Sequence, residues 1–170
     1  MLLDEIIGLS LIDSTEKIQK DDVTNINRVM RDLTNEYKNY ATNETEGKLD
    51  TELADDYVLK TNEIMLRRIM NCLLENATKY TSQGSITIRA QQEGTLLKLT
   101  VEDTGSGIPE QEAEHIFDRF VKLDNFKEGI GLGLSLSRKL AEQLGGKVEL
   151  DTTYKDGARF IVTLTTANEN

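Results

Sequence analysis

Residues 71–81, NCLLENATKYT, and residues 102–110, EDTGSGIPE, set the problem of this chain. The first stretch closes a helical pattern. From Asn62 to Tyr80, Leu66, Ile69, Leu73, Ala77 and Tyr80 recur at steps of three and four and predict one buried stripe. Cys72, Asn76 and Lys79 stand at i, i+4 and i+7, so a second face of the same helix carries a thiol, an amide and a cation. The second stretch ends an alternating, strand-like run on one aspartate, Asp103, and breaks into glycines.

Outward from these segments, SITIRAQQ and TLLKLTVED alternate, with Ile86, Ile88 and Ala90 facing the same way as Leu97, Leu99 and Val101. Glu93-Gly94 joins them as a hairpin, which predicts a half-buried antiparallel pair. A short helix is expected around EQEAEHIFDRF, then a linker and GIGLGL. A helix follows on Leu136, Leu140 and Leu144 and stops at Gly145-Gly146. KVELDTT and ARFIVTLT close the chain as a second hairpin turning at Asp156-Gly157. On the other side, DDVTNINRVMRDLTNEYKNYA reads as a strand entering a helix, capped by Asn25 or Thr24, with Ile26, Val29 or Met30, Leu33 and Tyr37 on one face. ETEGKLDTELADDYVLKTN reads as two short strands around a turn. Strands arriving mostly in hairpins predict an α/β (α+β) two-layer sandwich, a mixed, largely antiparallel sheet with helices on one face. A parallel doubly wound sheet would alternate single strands with helices.

The 170 residues suffice for one domain with a short appended element. Thirty acidic against twenty basic residues leave a net charge of −10, which repels phosphate backbones and excludes nucleic acid as a general partner. A polyanionic ligand then needs a metal or local cations. The single cysteine, Cys72, rules out an internal disulfide framework and a multi-cysteine zinc site. No apolar run reaches the roughly 18 residues that span a bilayer, and the acidic start does not read as a signal peptide. No membrane contact is expected, and the location is expected to be cytoplasmic, as the cytoplasmic part of a membrane-bound sensor or otherwise.

Taken singly, Asp103-Thr-Gly-Ser-Gly is a turn, and Gly129-Ile-Gly-Leu-Gly lets a helix start close to a strand. Together they suit a nucleotide. A carboxylate at a strand end accepts a hydrogen bond from an exocyclic amine such as that of adenine, and flanking glycines admit a flat base to the backbone. Glycines opening a helix offer unpaired amides and the positive end of a dipole to phosphates. Asn76 supplies a neutral oxygen of the kind magnesium takes alongside water and phosphate, and Lys79 supplies a cation.

These residues resemble the catalytic, ATP-binding domain of sensor histidine kinases of two-component systems, within the superfamily of gyrase and the Hsp90 chaperones. NCLLENATKYT is similar to the N box, EDTGSGIPE to the first glycine box, IFDRFVKLD to the F box and GIGLGLSLS to the second glycine box, in the family's order. The resemblance runs over about residues 21–166. It implies an open ATP-binding sandwich and transfer of the γ-phosphoryl group of magnesium-bound ATP to a histidine. By position, Asn76 is expected to hold Mg2+, Lys79 and Tyr80 to face the phosphates or ribose, and Asp103 to bind the adenine amine. Gly105, Gly107 and Ile108 are expected to shape the adenine pocket. Phe120 is expected to reach the lid, and Gly129, Gly131, Leu132, Gly133 and Leu134 to anchor it against the phosphates. Phe117 is expected to pack in the core, and Arg119 and Lys122 to be solvated.

The N box usually has asparagine four residues before its magnesium asparagine. Here Cys72 stands there, and Asn71 falls on another face. Cys72 reads as a packing residue. The eight-residue linker VKLDNFKE implies a short lid. The one histidine, His115, lies where the family has no phosphoacceptor, so it reads as a surface or partly packed residue. Residues 1–20, with an apolar stripe on Leu3, Ile7 and Leu11, read as the C-terminal end of a dimerisation and phosphoacceptor helix, residues 21–166 as the catalytic domain and 167–170 as a tail. The expected partners are that domain, a response regulator receiver domain and, in the full-length protein, a second copy. The chain alone is expected to bind nucleotide without autophosphorylating. Three other readings stay open: a catalytically weak nucleotide-binding interaction module, a conformational ATPase of the gyrase type, and a related serine-directed protein kinase.

Overall fold

The computed structural model describes residues 22–40, 45–81, 83–113, 115–117 and 133–166. Strand β1 (Asp22–Asn25) runs directly into α1 (Ile26–Tyr40). Asn25 is the cap, since its side-chain oxygen accepts the Arg28 backbone N–H at 2.9 Å, whereas the Thr24 hydroxyl turns back to donate to the Asp22 carbonyl. β2 (Thr45–Thr51) and β3 (Val58–Thr61) follow, then α2 (Glu63–Tyr80), where the Asn62 side chain accepts from the Met65 backbone N–H at 3.0 Å. β4 (Gly84–Glu93) and β5 (Leu96–Asp103) form the expected hairpin. α3 (Gly133–Gln143), β6 (Lys147–Leu150) and β7 (Arg159–Thr165) complete the described elements.

The main sheet has the order β2-β4-β5-β7-β6, with only the β2–β4 pair parallel. This is the mixed, largely antiparallel sheet expected. Register explains its two faces. Ile88 opposes Val101, which opposes Phe160, and Ala90 opposes Leu99, which opposes Val162, so one face is a continuous apolar layer. All six of these side chains are buried, together with Leu66, Ile69, Met70, Leu73, Leu74 and Ala77 of α2. α1 packs on β2 and β4, α2 on β4 and β5, and α3 on β6 and β7. The opposite face carries ion pairs: Arg89 to Asp50 and, at 3.0 Å, to Glu102, and Arg159 to Glu102 at 2.7 Å.

Three local expectations change. The two strands of residues 45–61 do not share a sheet: β2 joins the main one, and β3 pairs antiparallel with β1 in a separate two-stranded sheet. The link between them is fastened to the start of α1, because the Asn27 amide donates to the Leu53 carbonyl at 3.0 Å and the Asn25 amide to that of Asp55 at 2.8 Å. The short helix expected after Pro109 is a single 3-10 turn, Glu110–Glu112, followed by turns. The turn itself is Glu-Gln-Glu, with no buried side chain and so no apolar face to pack, and the next buried residues are Ile116 and Phe117 further on. Finally, the last hairpin is joined by residues 151–158, so Asp156-Gly157 closes a longer connection instead of forming its turn.

The last helix ends as expected. The Gly145 N–H donates to the Glu142 carbonyl at 3.0 Å and the Gly146 N–H to that of Ala141 at 2.8 Å, which ties the glycine pair back onto the last turn of the helix. Residues 1–20 and 167–170, for which separate segments were expected, lie outside the described residues. No helix among the described residues is long and apolar enough to cross a membrane.

Candidate functional site

Asp103 ends β5 on the helix-covered face, opposite Ile86 in register, and is 2% exposed. Its backbone is gripped by the connection leading into β7: the Asp103 N–H donates to the Ala158 carbonyl at 2.9 Å. Oδ1 accepts two backbone N–H groups, from Gly105 at 2.9 Å and Ala158 at 3.2 Å, while Oδ2 accepts none among the described residues. Burial pushes this carboxyl above the ordinary carboxylate range. The two N–H donors and the nearby Thr81 hydroxyl pull it back, and the Glu102 charge pushes it further up. The Thr81 hydroxyl is itself buried and has no described partner other than this carboxylate. A carboxylate whose Oδ2 takes no backbone N–H, beside a hydroxyl with acceptor capacity to spare, fits a polar ligand presenting both a donor and an acceptor.

The end of α2 and the loop after β5 form one wall. Gly105 lies so close to α2 that a Cβ would stand 2.1 Å from the Tyr80 carbonyl oxygen and 2.8 Å from the Thr81 hydroxyl. The Ser106 N–H donates to the same Tyr80 carbonyl at 3.2 Å. Thr104 fixes the other side, its N–H donating to the Ser85 carbonyl at 3.1 Å and its hydroxyl accepting the Ser85 N–H at 3.0 Å. The loop is therefore laced to the helix that carries Asn76, Lys79 and Tyr80.

Asn76 and Tyr80 are half-buried, and Lys79 is exposed in the last turn of α2. Gly107 takes a φ of 74°, and Ile108 packs half-buried on the core. Gly133 opens α3 with no described atom within 4 Å of where a Cβ would stand, and Leu134 packs beside it against the core. Phe117 is a core residue, edge-on to Phe160 at 6.0 Å between ring centroids. Cys72 is half-buried against the core, Glu75 is exposed, and His115 is exposed in a turn. Phe120, Gly129, Gly131 and Leu132, with Arg119 and Lys122, lie outside the described residues.

Sequence reasoning missed Thr81, Tyr154, Gly157 and Ala158, all of which touch or border Asp103. Three of them come from the connection before β7, and nothing local marks that strand as the neighbour of β5. The described residues contain no group of three or more histidine, cysteine, aspartate or glutamate side chains able to hold a metal. One amide oxygen, at Asn76, suits an ion held mainly by phosphate and water.

Residues 61–168 match the family described as histidine kinase-, DNA gyrase B- and HSP90-like ATPases. The chain belongs to this family. The matched span of the ATPase family takes in α2, the loop after β5 and α3, hence every described element carrying a candidate site residue. Heme sensor protein HssS of Staphylococcus epidermidis is 34% identical over 96% of this chain, which spans 35% of HssS. Among solved structures, the catalytic domain of histidine kinase ThkA superposes with a TM-score of 0.75 at 25% identity, covering 85% of this chain and 96% of that one. ThkA has also been solved in complex with the response regulator protein TrrA. Full-length ShkA in complex with AMPPNP gives a TM-score of 0.82 at 23% identity over 99% of this chain and 36% of ShkA, a likeness of fold. The chain thus spans about a third or less of the length of the sensor proteins it matches.

Proposed function

We propose that this ATPase-family domain is the ATP-binding catalytic part of a two-component sensor histidine kinase. It would pass the γ-phosphoryl group of ATP to a histidine on a dimerisation and phosphoacceptor domain. The observation that carries the reading is Asp103, a buried carboxylate whose Oδ1 is held by two backbone N–H groups while Oδ2 accepts none from described residues. That oxygen suits the amine of adenine, and the Thr81 hydroxyl beside it suits a ring nitrogen.

In this reading Gly105, Gly107 and Ile108 admit and flank the base, and Tyr80 and Lys79 face the ribose and phosphates. The Asn76 oxygen would hold magnesium, which when bound offsets phosphate charge during transfer. Gly133 and Leu134 present the first N–H groups of α3 to the phosphates, with Gly129, Gly131, Leu132 and Phe120 leading into them. The domain's work is positioning and charge neutralisation, which phosphoryl transfer chiefly needs. At Cys72, where gyrase-like ATPases place a glutamate base, no carboxylate stands to activate water. A response regulator receiver domain, a second copy of the full-length chain and a cytoplasmic setting belong to the same proposal.

The test supplies a separate phosphoacceptor domain together with γ-labelled ATP and magnesium. Acid-labile, base-stable label on its histidine is the expected outcome. Label stable to acid, or no transfer by a chain that binds ATP, would favour a serine-directed kinase or an interaction module.

A further inference from the structure

The connection from β6 to β7 folds back on the end of β5. Asp151 organises it, Oδ1 accepting the Thr153 N–H at 3.0 Å and Oδ2 the Arg159 guanidinium at 3.2 Å. Arg159 also donates from Nε to Glu102 Oε1 at 2.7 Å, and its guanidinium carbon lies 4.2 Å from the centroid of the Tyr154 ring. The hydroxyl of that ring donates to the Asp103 carbonyl at 3.0 Å. One side chain is thus joined by its face to the arginine holding Glu102 and by its tip to the main chain of Asp103. Gly157 leaves no gap between connection and strand, since a Cβ there would lie 2.0 Å from the Asp103 carbonyl oxygen. The next residue, Ala158, supplies one of the two N–H groups on Oδ1. Tyr154 also lines a cleft of about 250 Å3 together with Gly107 and Ile108.

We infer that Tyr154 is a positioning residue for Asp103, its phenol O–H clamping the 151–158 connection onto β5 so that the Ala158 N–H stays on Oδ1 and Oδ2 stays aimed at the ligand. The inference rests on the adenine-binding reading of Asp103. Burial and the carboxylates of Glu102 and Asp156 hold the phenol above its ordinary pKa, so it remains a donor through the neutral range. Removing only the hydroxyl leaves the ring on Arg159 and takes the one side-chain donor from the Asp103 carbonyl among the described residues.

The test is calorimetry, with magnesium, on the wild-type chain, Tyr154→Phe and Asp103→Asn. Two ligands are compared: a non-hydrolysable ATP analogue and the matching purine nucleotide analogue lacking the 6-amino group. Tyr154→Phe is expected to melt cooperatively, to bind the ATP analogue about five- to tenfold more weakly, and to bind the amine-free analogue as the wild type does. Unchanged affinity for the ATP analogue, or equal weakening for both ligands, gives the tyrosine a packing role and overturns the inference. Loss of the cooperative melt overturns it as well. If the folded wild type binds neither ligand, or Asp103→Asn binds the ATP analogue unimpaired, the adenine reading fails and takes the inference with it.

Discussion

Gly105 stands against the carbonyl oxygen of Tyr80 with no room for a side chain: a Cβ there would lie 2.1 Å from that oxygen. The closeness brings the loop after β5 under the end of α2, and Asp103 lies where the two meet. Gly105→Ala must push the loop off the helix and pull the Gly105 N–H from Asp103 Oδ1. A stability loss of about 1–3 kcal/mol is expected from urea unfolding, with a larger proportional loss of nucleotide affinity.

Asp103→Asn separates binding from stability. The asparagine oxygen can keep both N–H bonds that Oδ1 accepts, while its amide puts a donor where Oδ2 was. Burial raises the folded pKa of Asp103 above the ordinary 3.8, so its contribution to stability is fully present below that value and is lost as pH rises through the raised one. At neutral pH the variant is therefore expected to be at least as stable as the wild type. Thermal melts from pH 4 to 8 check this, the variant gaining on the wild type as pH rises.

Glu102, one residue earlier on the opposite face, behaves in the reverse sense. Burial alone would raise its pKa, but hydrogen bonds from Arg89 and Arg159 outweigh burial and hold it below the ordinary 4.5. Its contribution is present above 4.5 and lost as pH falls through the depressed folded value. Glu102→Gln is expected to cost about 1–2 kcal/mol at pH 7, discounted because both arginines are partly solvated, and to flatten the acid limb of the stability curve. Denaturant midpoints measured between pH 3 and 7 decide it.

Asn76→Ala is expected to leave the fold nearly untouched, since the side chain is half-buried and outside the core. Nucleotide affinity should then become almost independent of magnesium, where the wild type gains affinity on adding the ion. Paired titrations with magnesium and with a chelator measure the difference.

Much of the fold was legible because burial leaves a local trace. The stripe Leu66, Ile69, Leu73 and Ala77 marks α2, and the alternation of Ile86, Ile88, Leu97, Leu99 and Val101 marks the central hairpin; all are buried. Asp103 was legible as a strand-end carboxylate in a glycine-broken loop. Its partners were not. Tyr154 and Ala158 lie 51 and 55 residues further along the chain, and only the order of strands brings them to it. The separation of β2 from β3 was hidden for the same reason, because it depends on Asn25 and Asn27 reaching the link from the junction of β1 and α1. The 3-10 turn at Glu110–Glu112 is the opposite case, a charged run with helix-forming residues and no stripe to bury.

The most direct test titrates the folded chain with a non-hydrolysable ATP analogue in magnesium, beside Asp103→Asn under the same conditions. Saturable one-to-one binding by the wild type, weakened on the order of 100-fold in a folded Asp103→Asn, is the expected result. Equal affinity in the two proteins, or no binding by a folded wild type, would contradict the assignment of Asp103 as the residue that reads the adenine of ATP.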